Sequence, residues 1–297
     1  MQNYGFIPTK DFANANKKCL KDVSDIGDSG KGRTVCLYKL WEQLIGAPTK
    51  PRDQGKGSDC VGQSTARGVD VVTAVSIVGL GLSLRFVAMA SASSIYGGSR
   101  YEIGKKEHGM SLWGKGSHVP YAAEFVKRYG SLYMMKYPTI DLSVHSWAVS
   151  NNWGSSGVPD ELEPEAHANG LIRDFIPINS YAEYRGAICN GNPVVFGSKF
   201  GFKGQKNRDD EGFLEPNGKW SHAMVGTAVD DSPRRPGGCI ENSWGDDWVS
   251  GPKHLEQPDG SFWVDADVIE DMARKGEAVA LSGINSFAQQ QLNYVLL

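Results

Sequence analysis

Paired cysteines are missing from this chain of 297 residues. It has five cysteines, Cys19, Cys36, Cys60, Cys189 and Cys239, an odd number, and no two form a CxxC. That spacing argues against a zinc site and against a fully paired disulfide framework, and it fits a reducing compartment. Metal-ligand spacing is also absent among the six histidines; His108, His118, His145 and His167 read as surface or core residues. No metal and no cofactor is expected. An excess of charge of one sign is lacking too. The net charge is −3 with both signs scattered, so there is no electrostatic case for nucleic acid or an acidic membrane. The longest apolar run, Val69 to Ala90, is broken by Asp70, Gly79, Gly81 and Arg85, and membrane insertion is not expected. The opening "MQNYGFIPTKDFANANKK" has no basic stretch followed by an apolar one, so no secretory signal is expected. "GDSGKGRT" lacks the Gly-Lys-Ser/Thr ending and the preceding strand of a phosphate loop, and reads as a plain loop.

What is present is an ordinary globular composition, with 40% apolar and 22% charged residues. A chain of this length buries about 75% of its unfolded surface. Apolar spacing predicts helices over Val35 to Ile45, Cys60 to about Val78, Ala90 to Arg100 (ending at Gly97-Gly98), Val119 to Tyr129, and "YAEYRGAIC". Asp59 is a candidate N-cap for the second. Alternation predicts strands in "LSLRFVAM", "PVVFGSKF", "HAMVGTAVDD", "GGCIENSW" and "GSFWVDAD", while "NNWGSSGVPDELEPE" reads as a polar loop. Helices first and strands second point to an α+β protein of two lobes.

One thiol is placed for chemistry. A cysteine is a useful nucleophile only as thiolate, which a helix N-terminus and a nearby imidazolium favour. Cys60 stands at a predicted helix start. His222, in "KWSHAMVGTAVDD", begins a strand-like run that can hold an imidazole rigidly. Asn242, in "CIENSWGDDW", is a candidate to orient that ring, with Trp244 two residues on. Alone, Cys60 would read as a buried structural thiol.

These segments resemble the papain-like cysteine peptidases. "DQGKGSDC" is similar to the family's Gln-Gly…Ser-Cys stretch, with Gln54 six positions before Cys60. "SHAMVGTAVDD" resembles its His-Ala-Val…Gly block, and "ENSWGDDW" its Asn-Ser-Trp-Gly…Trp block. "GMSLWGKGSHVPYAAEFVKRYG" is similar to the loop and helix lining its substrate cleft. The resemblance covers about residues 50 to 285. It implies a papain-like fold with a helical lobe, a β-barrel-like lobe and the active-site cleft between them. It implies that Cys60 is the nucleophile, His222 the base and acid, and Asn242 the residue orienting the imidazole. Gln54 and the Cys60 backbone N–H would form the oxyanion hole. Trp244 would shield the histidine, and Gly114, Gly116 and Ala223 would line the cleft, where small residues let a substrate backbone pair.

Departures from the better-known secreted members are visible. Val61 follows the nucleophile in place of Trp, Gly57 replaces a disulfide cysteine, and Ser221 precedes the histidine in place of Asp. Asp59 sits directly beside the thiol, where a carboxylate opposes ionisation. The "QG…GS" and "IYGGSR" segments resemble a bacterial and tailed-phage branch. The expected organisation is an N-terminal extension (1–50), a peptidase domain (helical lobe 51–145, β-rich lobe 146–285) and a tail (286–297). The extension is expected to pack permanently on the second lobe. The expected activity is endopeptidase action on a protein or peptide substrate, in the cytoplasm of the producing cell or in a virion with assembly partners. Two other readings stand beside it: a catalytically silent structural or attachment component, and a Cys/His amidase acting on peptidoglycan stem peptides.

Overall fold

The computed structural model of the protein describes residues 2–9, 20–23, 25–202, 207–283, 286–290 and 292; Cys19 and most of the end of the tail lie outside them. Eight strands are found there: β1 (Gln2–Asn3), β2 (Thr34–Cys36), β3 (Asp174–Pro177), β4 (Val194–Phe200), β5 (Lys219–Asp230), β6 (Gly237–Glu241), β7 (Ser261–Asp265) and β8 (Glu277–Ser282). They pair in the order β3-β8-β4-β5-β6-β7, antiparallel at every step. β2 adds to β5 antiparallel and β1 adds to β5 parallel. The path ends at β3 and β7 without joining them, so the barrel-like lobe expected from sequence is an open antiparallel sheet.

Strand alternation splits this sheet between two cores. Ala223 and Val225 of β5, Val195 of β4, and Val279 and Leu281 of β8 join one apolar cluster. Trp220, Met224, Val194, Phe196, Ala278 and Ala280, on the opposite parity, join the other. Covering both faces explains why these strands read as near-continuous apolar runs. The first cluster takes its helical side from α2 (Cys60–Ala74), α3 (Ala92–Gly98) and α4 (Val119–Arg128), after α1 (Leu37–Ile45). The helices α5 (Trp147–Ser156) and α6 (Glu163–Ala168) add Trp153 and Ala166 to it. The second cluster is closed by α1, α7 (Tyr181–Cys189) and α8 (Ala266–Lys275). Leu20, Ile26, Val35, Leu37, Leu40 and Trp41 also belong to this second cluster, so the stretch before residue 50 contributes to the core.

Several local readings need correction. "LSLRFVAM" forms no strand; Leu84, Val87 and Met89 are exposed and no ladder partner lies alongside. The α-helix ends at Gly98, as expected, but the helical path does not. The chain continues through π-helical turns to Lys105 and stops at Gly109, which takes the left-handed conformation. The glycine pair also serves packing: a Cβ on Gly98 would lie 2.0 Å from the Phe125 ring. "NNWGSSG" is helical because Trp153 anchors α5 in the core. β3 and β8 carry no turn chemistry or long periodic run that marks them in the sequence, whereas α8, missed above, has Val268, Ile269, Met272 and Ala273 at helical spacing between Asp265 and Gly276.

Candidate active site

Cys60 begins α2, and Asp59 occupies the N-cap position without making a capping bond. Asp59 is thus the N-cap residue that the sequence suggests, but its backbone carbonyl, and not its carboxylate, meets the helix. The Asp59 side chain turns away toward Ser150, whose hydroxyl donates to Oδ2 at 2.8 Å. The Cys60 Sγ accepts from the Ala223 backbone N–H at 3.3 Å, which places the thiol beside the residue that follows His222. Cys60 and His222 are both fully buried.

The imidazole is fixed from every side. Its Nε2 lies 2.7 Å from Oδ1 of Asn242. The Ser243 N–H also donates to that Oδ1 at 2.8 Å, which identifies it as the oxygen of the amide. Nε2 must then be the protonated nitrogen, and Nδ1 is left as an acceptor. Nδ1 is buried without a hydrogen-bond partner. The Trp244 ring stacks on the imidazole with centroids 4.7 Å apart, and Trp220 and Tyr4 meet it edge-on at 5.3 Å each. Trp244 thus covers one face of the imidazole.

A buried ion pair ties the thiol helix to the asparagine strand. Arg67 of α2 reaches both carboxylate oxygens of Glu241, at 2.7 and 3.2 Å, and Thr227 donates to the same group at 2.8 Å. Glu241 immediately precedes Asn242, so this pair sets the distance between Cys60 and the imidazole partner.

Gln54 is held by Ser243, whose hydroxyl donates to Oε1 at 2.7 Å and whose carbonyl accepts from the Gln54 N–H at 2.9 Å. Its Nε2 amide points the other way and is occupied, donating to the carbonyls of Gly57 at 2.9 Å and Tyr4 at 3.1 Å. Tyr4 belongs to a strap, residues 2–9, that runs across the site. β1 pairs with Trp220 and Ser221, the Tyr4 N–H donates to Ser221 O at 2.9 Å, and Phe6 bridges to Ser117. Gly116 lies against Gly5, and Phe6 is buried against Gly197. Gly114 does not touch the strap; its carbonyl accepts from Arg100 at 2.9 Å. Arg100 also takes the carbonyls of Leu112, Gly116 and Gly154, and so shapes the loop.

Burial governs both reactive groups. It pushes the Cys60 thiol well up, a rise to which the Asp59 charge adds and which the Ala223 N–H opposes. It pushes His222 down to about 4, against the Asn242 hydrogen bond. Thiol and imidazole are thus both neutral while the strap is in place. Cys36, Cys189 and Cys239 are buried thiols with raised pKa values, away from this site. Among the described residues no group of three His, Cys, Asp or Glu could hold a metal, and no helix is long and apolar enough to cross a membrane. Tyr4 and Arg100 escaped the sequence reading, because a carbonyl in a cleft and an arginine under a loop carry no motif.

No family model matches the chain, and no curated protein matches it. Solved structures do. Xylellain, a cysteine protease from Xylella fastidiosa, is 16% identical over 95% of this chain and 97% of its own, with a TM-score of 0.61. A digestive procathepsin L2 from the larval midgut of Tenebrio molitor is 14% identical over 95% of this chain and 78% of its own, with a TM-score of 0.57. A procathepsin L 3 from the same tissue gives 14%, 92%, 77% and 0.54. This α+β chain has the papain-like fold.

Proposed function

We propose that the protein is a papain-like cysteine endopeptidase held latent by its own N-terminal strap. The observation that carries this reading is the Nε2–Oδ1 contact of 2.7 Å between His222 and Asn242, which leaves Nδ1 as the free base, while the Cys60 thiol meets the backbone N–H of the next residue, Ala223, at 3.3 Å. Once water and substrate replace the strap, the cause of both displaced pKa values is relieved, and the thiol can pass its proton to Nδ1. The thiolate then attacks a peptide carbonyl, forming the C–S bond. The negative charge that develops on oxygen is met by the Gln54 amide freed from Tyr4 and by the Cys60 N–H. His222 returns its proton to the departing amine and then activates the water that hydrolyses the thioester. Trp244 and Asn242 hold the ring through both steps.

The test is to alkylate the Gly5→Val chain, in which the added side chain would collide with the Ser58 carbonyl and displace the strap, with an epoxide or iodoacetamide from pH 5 to 8, beside the same chain carrying Cys60→Ala, and to assay both on casein and peptidoglycan. Cys60 labelling faster than a free thiol, with casein cleavage lost in Cys60→Ala, is the expected result. Cleavage of peptidoglycan alone would identify the amidase. Absence of both cleavage and fast labelling would leave a silent structural component. Gln54→Ala should keep the labelling and lower kcat by about 10²–10³.

A further inference from the structure

Behind the nucleophile lies a second titratable cluster that the reaction above leaves unused. Asp59 is fully buried one residue before Cys60. Its Oδ2 accepts from Ser150 Oγ at 2.8 Å and lies 3.3 Å from Nε2 of His145. The Gln63 amide, one turn along α2 from Cys60, stands between the two, its Nε2 3.1 Å from the same His145 nitrogen and 3.5 Å from Oδ2 of Asp59, to which it donates when the ring nitrogen carries a proton. Oδ1 of Asp59 is buried with no partner at all. The His145 side chain keeps 17% exposure where that of Asp59 has 0%. It lines an open groove of about 520 Å³ with Arg52, Asp53, Gln63, Met89 and Val144.

We propose that His145 is a positioning residue for Cys60: it carries the proton that offsets Asp59, so that the thiolate forms beside a neutral pair and not beside a bare buried carboxylate. This rests on Cys60 being the reactive thiol of the proposed peptidase. A buried carboxylate without a counter-charge holds a neighbouring thiol protonated, by roughly one to three pH units. The sequence tolerates one here because a base stands against it. Burial opposes charge on both partners, so a single proton shared between them suits the site. The open groove is the route by which that proton exchanges, because only the imidazole of the pair reaches it. The remaining charged and titratable groups around the pair are few. Arg52 and Asp53 face His145 with opposite signs, and Tyr96 of α3 faces Asp59 and Cys60. Two further cations stand nearby: Lys50 lines the same groove as His145, and Lys115 lies over the Trp147 ring at 5.2 Å. Above the pH at which the pair loses its proton, a net negative charge stands beside Cys60 and opposes the thiolate.

The experiment is the pH profile of Cys60 alkylation by iodoacetamide in the full chain, read by peptide mass from pH 5 to 9. His145→Gln, Asp59→Asn and the double variant are compared with the parent. The same set is repeated with Gly5→Val, whose side chain collides with Ser58 and displaces the strap. His145→Gln should slow labelling about tenfold at pH 7, one unit of thiol ionisation. Asp59→Asn should abolish that difference and shift the profile to lower pH, with equal ratios in both strap backgrounds. A merely structural pair would lower thermal stability and leave the profile in place. The proposal is overturned if His145→Gln slows labelling as much in the Asp59→Asn chain, if neither variant moves the profile, or if the ratios appear only under an intact strap. Cys60 unlabelled in every chain up to pH 9 overturns it as well. Peptide cleavage is not read, so a failure of the peptidase reading leaves this result standing or falling separately.

Discussion

At the scale of single residues, the candidate site is braced by a buried charge pair that lies outside the Cys60, His222 and Asn242 group itself. Arg67 and Glu241 are 4% and 6% exposed, and their bidentate contact joins the first turns of α2 to the residue before Asn242. Removing one partner strands the other as an uncompensated buried charge. Arg67→Met should therefore destabilise the chain by about 3–5 kcal/mol in urea unfolding. Arg67→Met with Glu241→Leu should recover most of that loss, because no charge is then left unpaired. A double variant as unstable as the single would show that the pair's hydrogen bonds, including that from Thr227, dominate over its charge. Residue-level features were legible in unequal measure. Cys60, His222, Asn242, Gln54 and Trp244 stand in short blocks whose spacing carries meaning. Arg67, His145 and Tyr4 reach the site only through contacts across 174, 86 and 50 positions of sequence, and nothing local marks them.

At the scale of elements, two close approaches control the site. α3 packs on α4 where Gly98 leaves no room, a Cβ there lying 2.0 Å from the Phe125 ring. Gly98→Ala should cost about 1–3 kcal/mol by overpacking, read as a fall in the denaturation midpoint. Phe125→Leu in the same chain should relieve part of it. The strap makes the second approach. Gly5 has φ +115° and its added Cβ would sit 1.9 Å from the Ser58 carbonyl, next to Asp59. Backbone blocks the way there, so the strap itself must move. Gly5→Val should raise Cys60 alkylation at least tenfold at fixed pH while leaving the midpoint of global unfolding nearly unchanged. Unaltered labelling would mean that the strap does not limit access to the thiol. Long amphipathic helices and two-sided strands could be read in sequence. The π-helical continuation after Gly98 could not, since packing against Phe125 overrides the usual stop signal of a glycine pair. The misread stretch from Leu82 to Met89 alternates correctly but finds no neighbouring strand.

At the scale of the whole molecule, three groups couple strap docking to pH, and their magnitudes decide the direction. His222 lies under Tyr4, and burial lowers it to about 4. His118 lies 3.3 Å from the Thr9 hydroxyl and is also lowered by burial to about 4. Glu277 accepts from the Thr9 N–H and is raised by burial to about 7. Each histidine contributes to docking above its ordinary value of 6.5, and that contribution is lost as pH falls toward 4. Glu277 works in the opposite sense: its contribution is complete below its ordinary 4.5 and is lost as pH rises through 7. If opening restores ordinary values, going from pH 6.5 to 4.5 weakens docking about forty-fold for each histidine and strengthens it about forty-fold for Glu277. Two losses against one gain leave a net weakening of about forty-fold at most. Hydrogen exchange at the Tyr4 and Ile7 amides, which donate to Ser221 and Ser117, measures this directly once corrected for intrinsic rates. Protection should fall between pH 6.5 and 4.5 in the parent, fall more steeply in Glu277→Gln, and become nearly flat in His118→Gln. A strap that tightens on acidification, or a His118→Gln chain that loosens as much as the parent, would show that these three groups do not set the balance. The imidazole proposed as the base would then be uncoupled from the segment that covers it.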